Sequence, residues 1–147
     1  MFVTRSAAPF SGLAGANLGN ITDCYAVGNI SISINTYAGG LIGLNSGNII
    51  NCYAMVNICT AAINGEAAVG GLIGLSRASN VINCYATGDI RATSSLGFTV
   101  AGGLIGGGFG EVRNCYAMGN VILNVNLISS GEGFVYAGGL LGGIKVI

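Results

Sequence analysis

Apolar and polar residues alternate one by one in several short stretches of this chain. Ile30, Ile32 and Ile34 alternate with Ser31, Ser33 and Asn35, and Val121, Leu123, Val125 and Leu127 alternate with Ile122, Asn124 and Asn126. A period of two is that of a β-strand with one buried face. The alternation is poorer around residue 59, where Cys59 and Thr60 break it. No stretch keeps an apolar stripe at helical spacing, β-branched residues abound, and 27 of the 147 residues are glycine, so no helix is expected.

The alternating stretches sit inside a larger period. Cys-Tyr-Ala recurs at residues 24–26, 52–54, 84–86 and 115–117, with spacings of 28, 32 and 31. A second phrase, GGLIG, stands at 39–43, 70–74 and 102–106, with GGLLG at 138–142 and a degenerate copy, SGLAG, at 11–15. Asn or Asp precedes each Cys (Asp23, Asn51, Asn83, Asn114), and Gly-Asn or a close variant follows the alanine. Such residues accept left-handed backbone and hydrogen-bond their own chain, so they mark corners. From the second glycine of each phrase to the next Cys the distance is 12 or 13 residues, whereas the return from Cys varies from 16 to 24. One arc is therefore fixed in length. Variable segments, at Thr36–Tyr37, Ala61–Ala68, Ala92–Thr99 and Ile128–Tyr136, are expected to bulge on one side.

A repeat of this length is one supersecondary unit that buries its apolar face only by stacking on copies of itself. Collagen needs glycine at every third position, and a propeller blade needs about 40–45 residues. The expected fold is all-β: a β-solenoid (parallel β-helix) of about four stacked coils of 28–36 residues, three short strands to a coil. The chain reads as one domain, 1–147, with coils near 11–38, 39–69, 70–101 and 102–137 and a further coil starting at 138–147.

Parity places the side chains. Carrying the inner face of Ile30 backward puts Cys24, Ala26 and Gly28 inside and Tyr25 outside, unless a turn within the phrase reverses them. The expected core ladders are Cys24/Cys52/Cys84/Cys115 and Leu41/Leu72/Leu104/Leu140, and the expected surface ladder is Tyr25/Tyr53/Tyr85/Tyr116. The glycine-rich phrase, taken as a strand, has leucine flanked by glycines on one face and Ile42, Ile73, Ile105 and Leu141 on the other. Bare glycine there admits the close approach of another backbone.

Composition narrows the chemistry. Only 7% of residues are charged, five basic and five acidic, with no histidine; ordinary globular proteins carry about 25%. That leaves no electrostatic footprint for nucleic acid or anionic lipid. Mean hydropathy is high at +0.72, yet residues 96–110, the longest candidate span, are broken by seven glycines, so no membrane span is expected. Arg5 interrupts the opening stretch where a signal peptide would be apolar. Without histidine no Ser/His or Cys/His pair exists, and no cysteine spacing suits a metal. Asp23 and Asp89 occupy turn positions that hold Asn in other repeats. GGLIG lacks the Lys-Ser/Thr of a phosphate loop. No catalytic residue, cofactor or metal is expected. Equivalent cysteines in stacked coils lie about 4.8 Å apart, within disulfide range, but their side chains point the same way, so buried free thiols are expected.

The phrases Gly40-Leu41-Ile42-Gly43, Ser46-Gly47-Asn48-Ile49 and Asn51-Cys52-Tyr53-Ala54 recur in order at 71–86 and 103–117. Together they resemble the GLUG motif, a repeat of bacterial and some archaeal surface proteins. The resemblance runs from about Ser11 to Gly142. It implies a β-solenoid segment at the cell surface or outside the cell, as in adhesin-like proteins and stalks of immunoglobulin A proteases, and a scaffold role instead of catalysis. Ser76-Arg-Ala-Ser79 and Gly107-Gly-Phe-Gly110 depart from the Asn-Ser-Gly corner.

Two functions follow as expectations. In the first, the chain is its own partner. Gly12, Leu13 and Gly15 at one end and Gly139, Leu140 and Gly142 at the other are the same part of a coil, so copies can stack head to tail into an extracellular filament. In the second, the segment belongs to a larger surface protein and grips carbohydrate or a host protein through the tyrosine face. The plainer account of that ladder is rings stacking to stabilise the sheet.

Overall fold

The computed structural model describes residues 8–33, 36–62, 66–94, 97–126 and 134–144, and every regular element in them is a strand. The first sheet stacks β1 (Ala8–Ser11), β5 (Thr36–Gly39), β9 (Ala67–Gly70), β13 (Thr99–Gly102) and β17 (Val135–Gly138). The second stacks β2 (Ala14–Asn17), β6 (Ile42–Asn45), β10 (Ile73–Ile82), β14 (Ile105–Arg113) and β18 (Leu141–Ile144), with β3 (Ile21–Thr22) and β7 (Ile49–Ile50) pairing beside them. The third is built from β4 (Tyr25–Ile32), β8 (Tyr53–Ala62), β11 (Tyr85–Thr87) with β12 (Ile90–Ser94), and β15 (Tyr116–Met118) with β16 (Val121–Val125). All pairings are parallel and join equivalent residues of successive repeats, such as Tyr25 to Tyr53 and Tyr53 to Tyr85. The chain visits the three sheets in turn, and the fold is the expected parallel β-solenoid, with β17 and β18 beginning a further circuit.

The corner from the second sheet to the third is made by the Asx residue before each cysteine. Asp23, Asn51, Asn83 and Asn114 have φ of 54°, 55°, 55° and 51°, the left-handed region that Asn and Asp tolerate best among residues with a side chain. Because this turn precedes Cys, it leaves the parity of the third sheet intact. Ala26, Ala54 and Ala86 point inward and are buried, as are Val56, Ile58 and Ile90. The alternation also survives at residues 59 and 60. Cys59 faces out, and Thr60 faces in at 2% exposure, in a column with Ile32, Ala92 and Leu123.

The glycine-rich phrase differs from its expected form. It is a corner and not a strand: β5 ends at Gly39, β6 starts at Ile42, and the chain turns at Gly40 and Leu41. Leu41 and Ile42, assigned to opposite faces by alternation, are therefore both fully buried, and Leu72 with Ile73 repeats the arrangement.

Within the second sheet the Asn-x-Gly corner splits each of the first two repeats. Asn45 accepts a bond from the Gly47 N–H (3.3 Å) and donates its amide to the Gly47 carbonyl (2.7 Å), while Asn17 brackets Gly19 in the same way. The next two repeats lack that Asn, and β10 and β14 run through without a break. The departure shows as a register shift between Ser76 and Ser79 and as positive φ at Ala78, Gly108 and Gly110. The variable segments lie between the third and first sheets. Part of each is strand, and residues 63–65, 95–96 and 127–133 lie outside the described residues.

Candidate functional site

Repetition places like on like, so the candidate sites are ladders and their ends. Tyr25, Tyr53, Tyr85 and Tyr116 stack on the outer face of the third sheet, with centroids 5.1, 4.8 and 5.0 Å apart and planes within 6° of parallel. Parallel pairing in register fixes the spacing, since the rings inherit the strand separation. Each inner ring is sandwiched by its neighbours. Desolvation by the flanking rings and the charge that Tyr53 and Tyr116 would carry push the Tyr85 phenol up from its ordinary value. The end rings, Tyr25 and Tyr116, are 61% and 50% exposed.

The cysteine ladder lines the inside of the Asx corner. The backbone N–H of Cys24 donates to Cys52 Sγ, that of Cys52 to Cys84 Sγ, and that of Cys84 to Cys115 Sγ, each at 3.4 Å. Each thiol in turn donates to the carbonyl two residues before it, Thr22, Ile50, Ile82 or Arg113, at 3.0–3.2 Å. The turn takes the cysteine N–H groups out of the backbone pairing and sulfur satisfies them, while the Ile50, Ile82 and Arg113 carbonyls also accept from the Asx N–H of the preceding repeat. Cys52 and Cys84 are buried, Cys24 and Cys115 half-buried, and all are free thiols. Burial raises the Cys52 thiol and pushes Cys84 up to about 12. They are poor nucleophiles, held as structure.

At the glycine-rich corner the chain has a direction. The N–H groups point to the following repeat: Gly12 to Gly40, Gly40 to Gly70, Gly71 to Gly102 and Gly103 to Gly138, at 3.0–3.2 Å. The carbonyls point the other way and sit directly on the glycine of the preceding repeat. A Cβ on Gly40, Gly71 or Gly103 would lie 2.0–2.1 Å from the carbonyl oxygen of Gly71, Gly103 or Gly139. Only glycine allows that contact. On Gly12 the Cβ would lie 2.6 Å from the Gly40 oxygen, whereas on Gly139 it would meet nothing within 4 Å. Leu13 is half exposed, Leu140 is partly buried, and Gly142 lies against the Gly106 and Ala101 carbonyls. Gly15 approaches the Pro9 carbonyl. The core leucines Leu41, Leu72 and Leu104 are fully buried.

Among the described residues no group of three or more His, Cys, Asp or Glu side chains could hold a metal ion, and no helix is long and apolar enough to cross a membrane. The one ion pair among them, Arg113 with Glu111, is on the surface. No curated protein and no solved structure is significantly similar to the chain. A family model for the GLUG motif matches residues 34–58 and 65–91, two consecutive repeats. Each match spans a glycine-rich corner, an Asx corner and the Cys-Tyr-Ala strand, the features that shape every coil here, so residues 34–91 carry two GLUG-type repeats.

Proposed function

We propose that the protein is a structural element of the cell surface or extracellular space, without catalytic activity, that lengthens by head-to-tail stacking of copies. The observation that carries this reading is the polarity of the glycine-rich corner. Gly139, Leu140 and Leu141 point N–H groups out of one end, and Gly12 and Leu13 point carbonyls out of the other; neither set has a partner among the described residues. Between adjacent repeats the same groups form one bond set, Leu72 and Ile73 N–H to the Leu104 carbonyl at 2.8 and 3.0 Å. A second copy seated on Gly139 would repeat it. Such a contact does not close on itself and yields a fibre. Few charges oppose it. The tyrosine ladder supports the same reading. Its ring faces are occupied by one another, which reinforces the stack and leaves only the end rings for a ligand.

Electron microscopy of the purified chain at rising concentration tests the proposal. The first sheet is five strands deep, so fibres with an axial repeat of about 24 Å are expected at about 4.8 Å per strand. Gly139→Ala gives the control. Its Cβ has open space in the single chain but would strike the carbonyl of an incoming copy, so the variant folds and does not polymerise. Monomers at every concentration, or fibres that form equally well in Gly139→Ala, refute it.

A further inference from the structure

A groove of about 740 Å³ runs between the outer faces of the first and second sheets, within the usual size of ligand clefts. Substitutions along two columns hollow it out. In the first sheet Tyr37, Ala68, Val100 and Tyr136 are in register, so small side chains form a floor between two phenols. In the second sheet Leu75 is followed in register by Gly107 and Gly143, on which the Val100 methyls rest, so that no side chain of this sheet rises opposite the floor there. At one end stand Glu66 and Arg77, with the Tyr37 phenol close to both. At the other, Phe98 and Tyr136 meet with centroids 6.0 Å apart and planes tilted by 59°, and Phe109 faces them across the groove. Phe98, Phe109 and Tyr136 are 42%, 36% and 49% exposed.

We propose that this groove binds a short neutral oligosaccharide, its apolar C–H faces on Phe98, Tyr136 and Phe109 and its hydroxyls on Arg77, Glu66 and Tyr37. The chemistry selects that class over others. One cation and one carboxylate, both lining the groove, leave no net charge to attract an ion. They offer a donor fork and an acceptor pair within reach of neighbouring hydroxyls. Exposed rings tilted against each other, unlike the parallel tyrosine ladder, leave faces on which a sugar ring can lie. Most of the groove is walled by sheet faces and only its Tyr136 end reaches a strand edge, so an extended peptide lying along it finds no continuous row of backbone groups to pair with. The groove is separate from the tyrosine ladder, but its Tyr136 end lies on the last strands and adjoins the face on which a second copy would stack.

The test is titration calorimetry of the whole chain with short cello-, chito-, malto- and manno-oligosaccharides, beside a heparin fragment and an unstructured peptide. Saturable binding of at least one neutral series is expected, weakened about tenfold or more, some 1.4 kcal/mol, by Tyr136→Ala, Phe98→Ala or Arg77→Ala and unchanged by Tyr116→Ala. Arg77 is exposed, so that variant keeps the fold, which melting curves verify. No neutral oligosaccharide bound at millimolar concentration, binding of heparin or peptide alone, or binding lost only in Tyr116→Ala overturns the proposal.

Discussion

Alanine at Gly71 measures how tightly the coils are held together. The added Cβ would lie 2.1 Å from the Gly103 oxygen and 2.9 Å from Ala86 Cβ, both backbone-bound and unable to rotate away. Relief requires the third and fourth repeats to separate locally by about 1 Å, to reach ordinary van der Waals contact. The bonds from Gly71 N–H to Gly102 (3.2 Å) and Leu72 N–H to Leu104 (2.8 Å) would then exceed bonding distance. Two lost bonds at about 1 kcal/mol each, with about 1–3 kcal/mol of overpacking, give about 3–5 kcal/mol. Gly139→Ala is the same chemical change at the same place in the repeat, with nothing within 4 Å of the new atom. Neither glycine is among those at positive φ, so backbone strain cancels between them, and Gly139→Ala is expected to change stability by less than about 1 kcal/mol. Urea denaturation followed by circular dichroism supplies both values, with the slope checked for constancy because stacked repeats need not unfold together. Equal costs for the two variants, or a cost below about 1 kcal/mol for Gly71→Ala, would show that the carbonyl-on-glycine contact does not set the coil spacing.

Two further outcomes are expected from the core. Thr60 Oγ1 is buried with no hydrogen-bond partner among the described residues, in a column otherwise filled by Ile32, Ala92 and Leu123; Thr60→Val keeps the shape, removes the stranded hydroxyl and should raise stability by about 1–2 kcal/mol in the same urea assay. The Cys84 thiol, raised by burial from 9.0 to about 12, ionises more easily in the unfolded chain. Its contribution is fully present below pH 9 and is lost as pH climbs through 9 towards 12. The urea midpoint should fall across that window, and Cys84→Ala, less stable at pH 7, should show a shallower fall; an identical pH dependence in both proteins would place the alkaline transition elsewhere.

Strands, corners and the outer tyrosines were legible because the cues are local. The alternation at residues 30–35 is a property of one strand, and Asn or Asp before Cys is a property of one corner. The glycine-rich corner was misplaced because its cue is not local: whether Gly40 sits in a strand or a turn is decided by the Gly71 carbonyl 31 residues on. Thr60 looked like a break in the alternation, although its burial follows the period. Polarity, not position, is what departs there. The groove was invisible to repeat alignment for a further reason. Phe109 stands where a corner departs from the common pattern, Phe98 and Glu66 fall in variable segments, and Arg77 has no charged counterpart in the other repeats. Aligning repeats discards such residues as noise. Aromatic residues gathered in and beside the variable segments (Tyr37, Phe98, Phe134, Tyr136) were the signal that could have found it.

The scarcity of charge also follows from stacking. Along the Asx corner each side-chain amide donates to the oxygen of the repeat before it: Asn51 to Asp23, Asn83 to Asn51 and Asn114 to Asn83, at 3.0–3.2 Å. An amide can do this indefinitely because it carries both donor and acceptor, whereas an ionised carboxylate only accepts. In this column the carboxylate stands at Asp23, the first member, which accepts from Asn51 and has no described repeat beneath it to serve. The second column reaches the opposite result by the same rule. Asp89 sits mid-column, between Asn57 and Asn120, but there the bond to Asn57 Oδ1 comes from the Asp89 backbone N–H at 2.9 Å. Its carboxylate is left free to accept from Asn120, through both backbone and amide, at 2.9 and 3.1 Å. In these two columns acid stands where backbone does the donating or where the column begins, whereas Glu111, at the last described place of the Asn20/Asn48/Asn80 column, pairs with Arg113 instead. Lysine and arginine, which only donate, meet the mirror-image restriction. Asparagine, serine, threonine and glycine remain to make the corners, and the near-absence of charge on this chain is a consequence of building polar contacts by repetition.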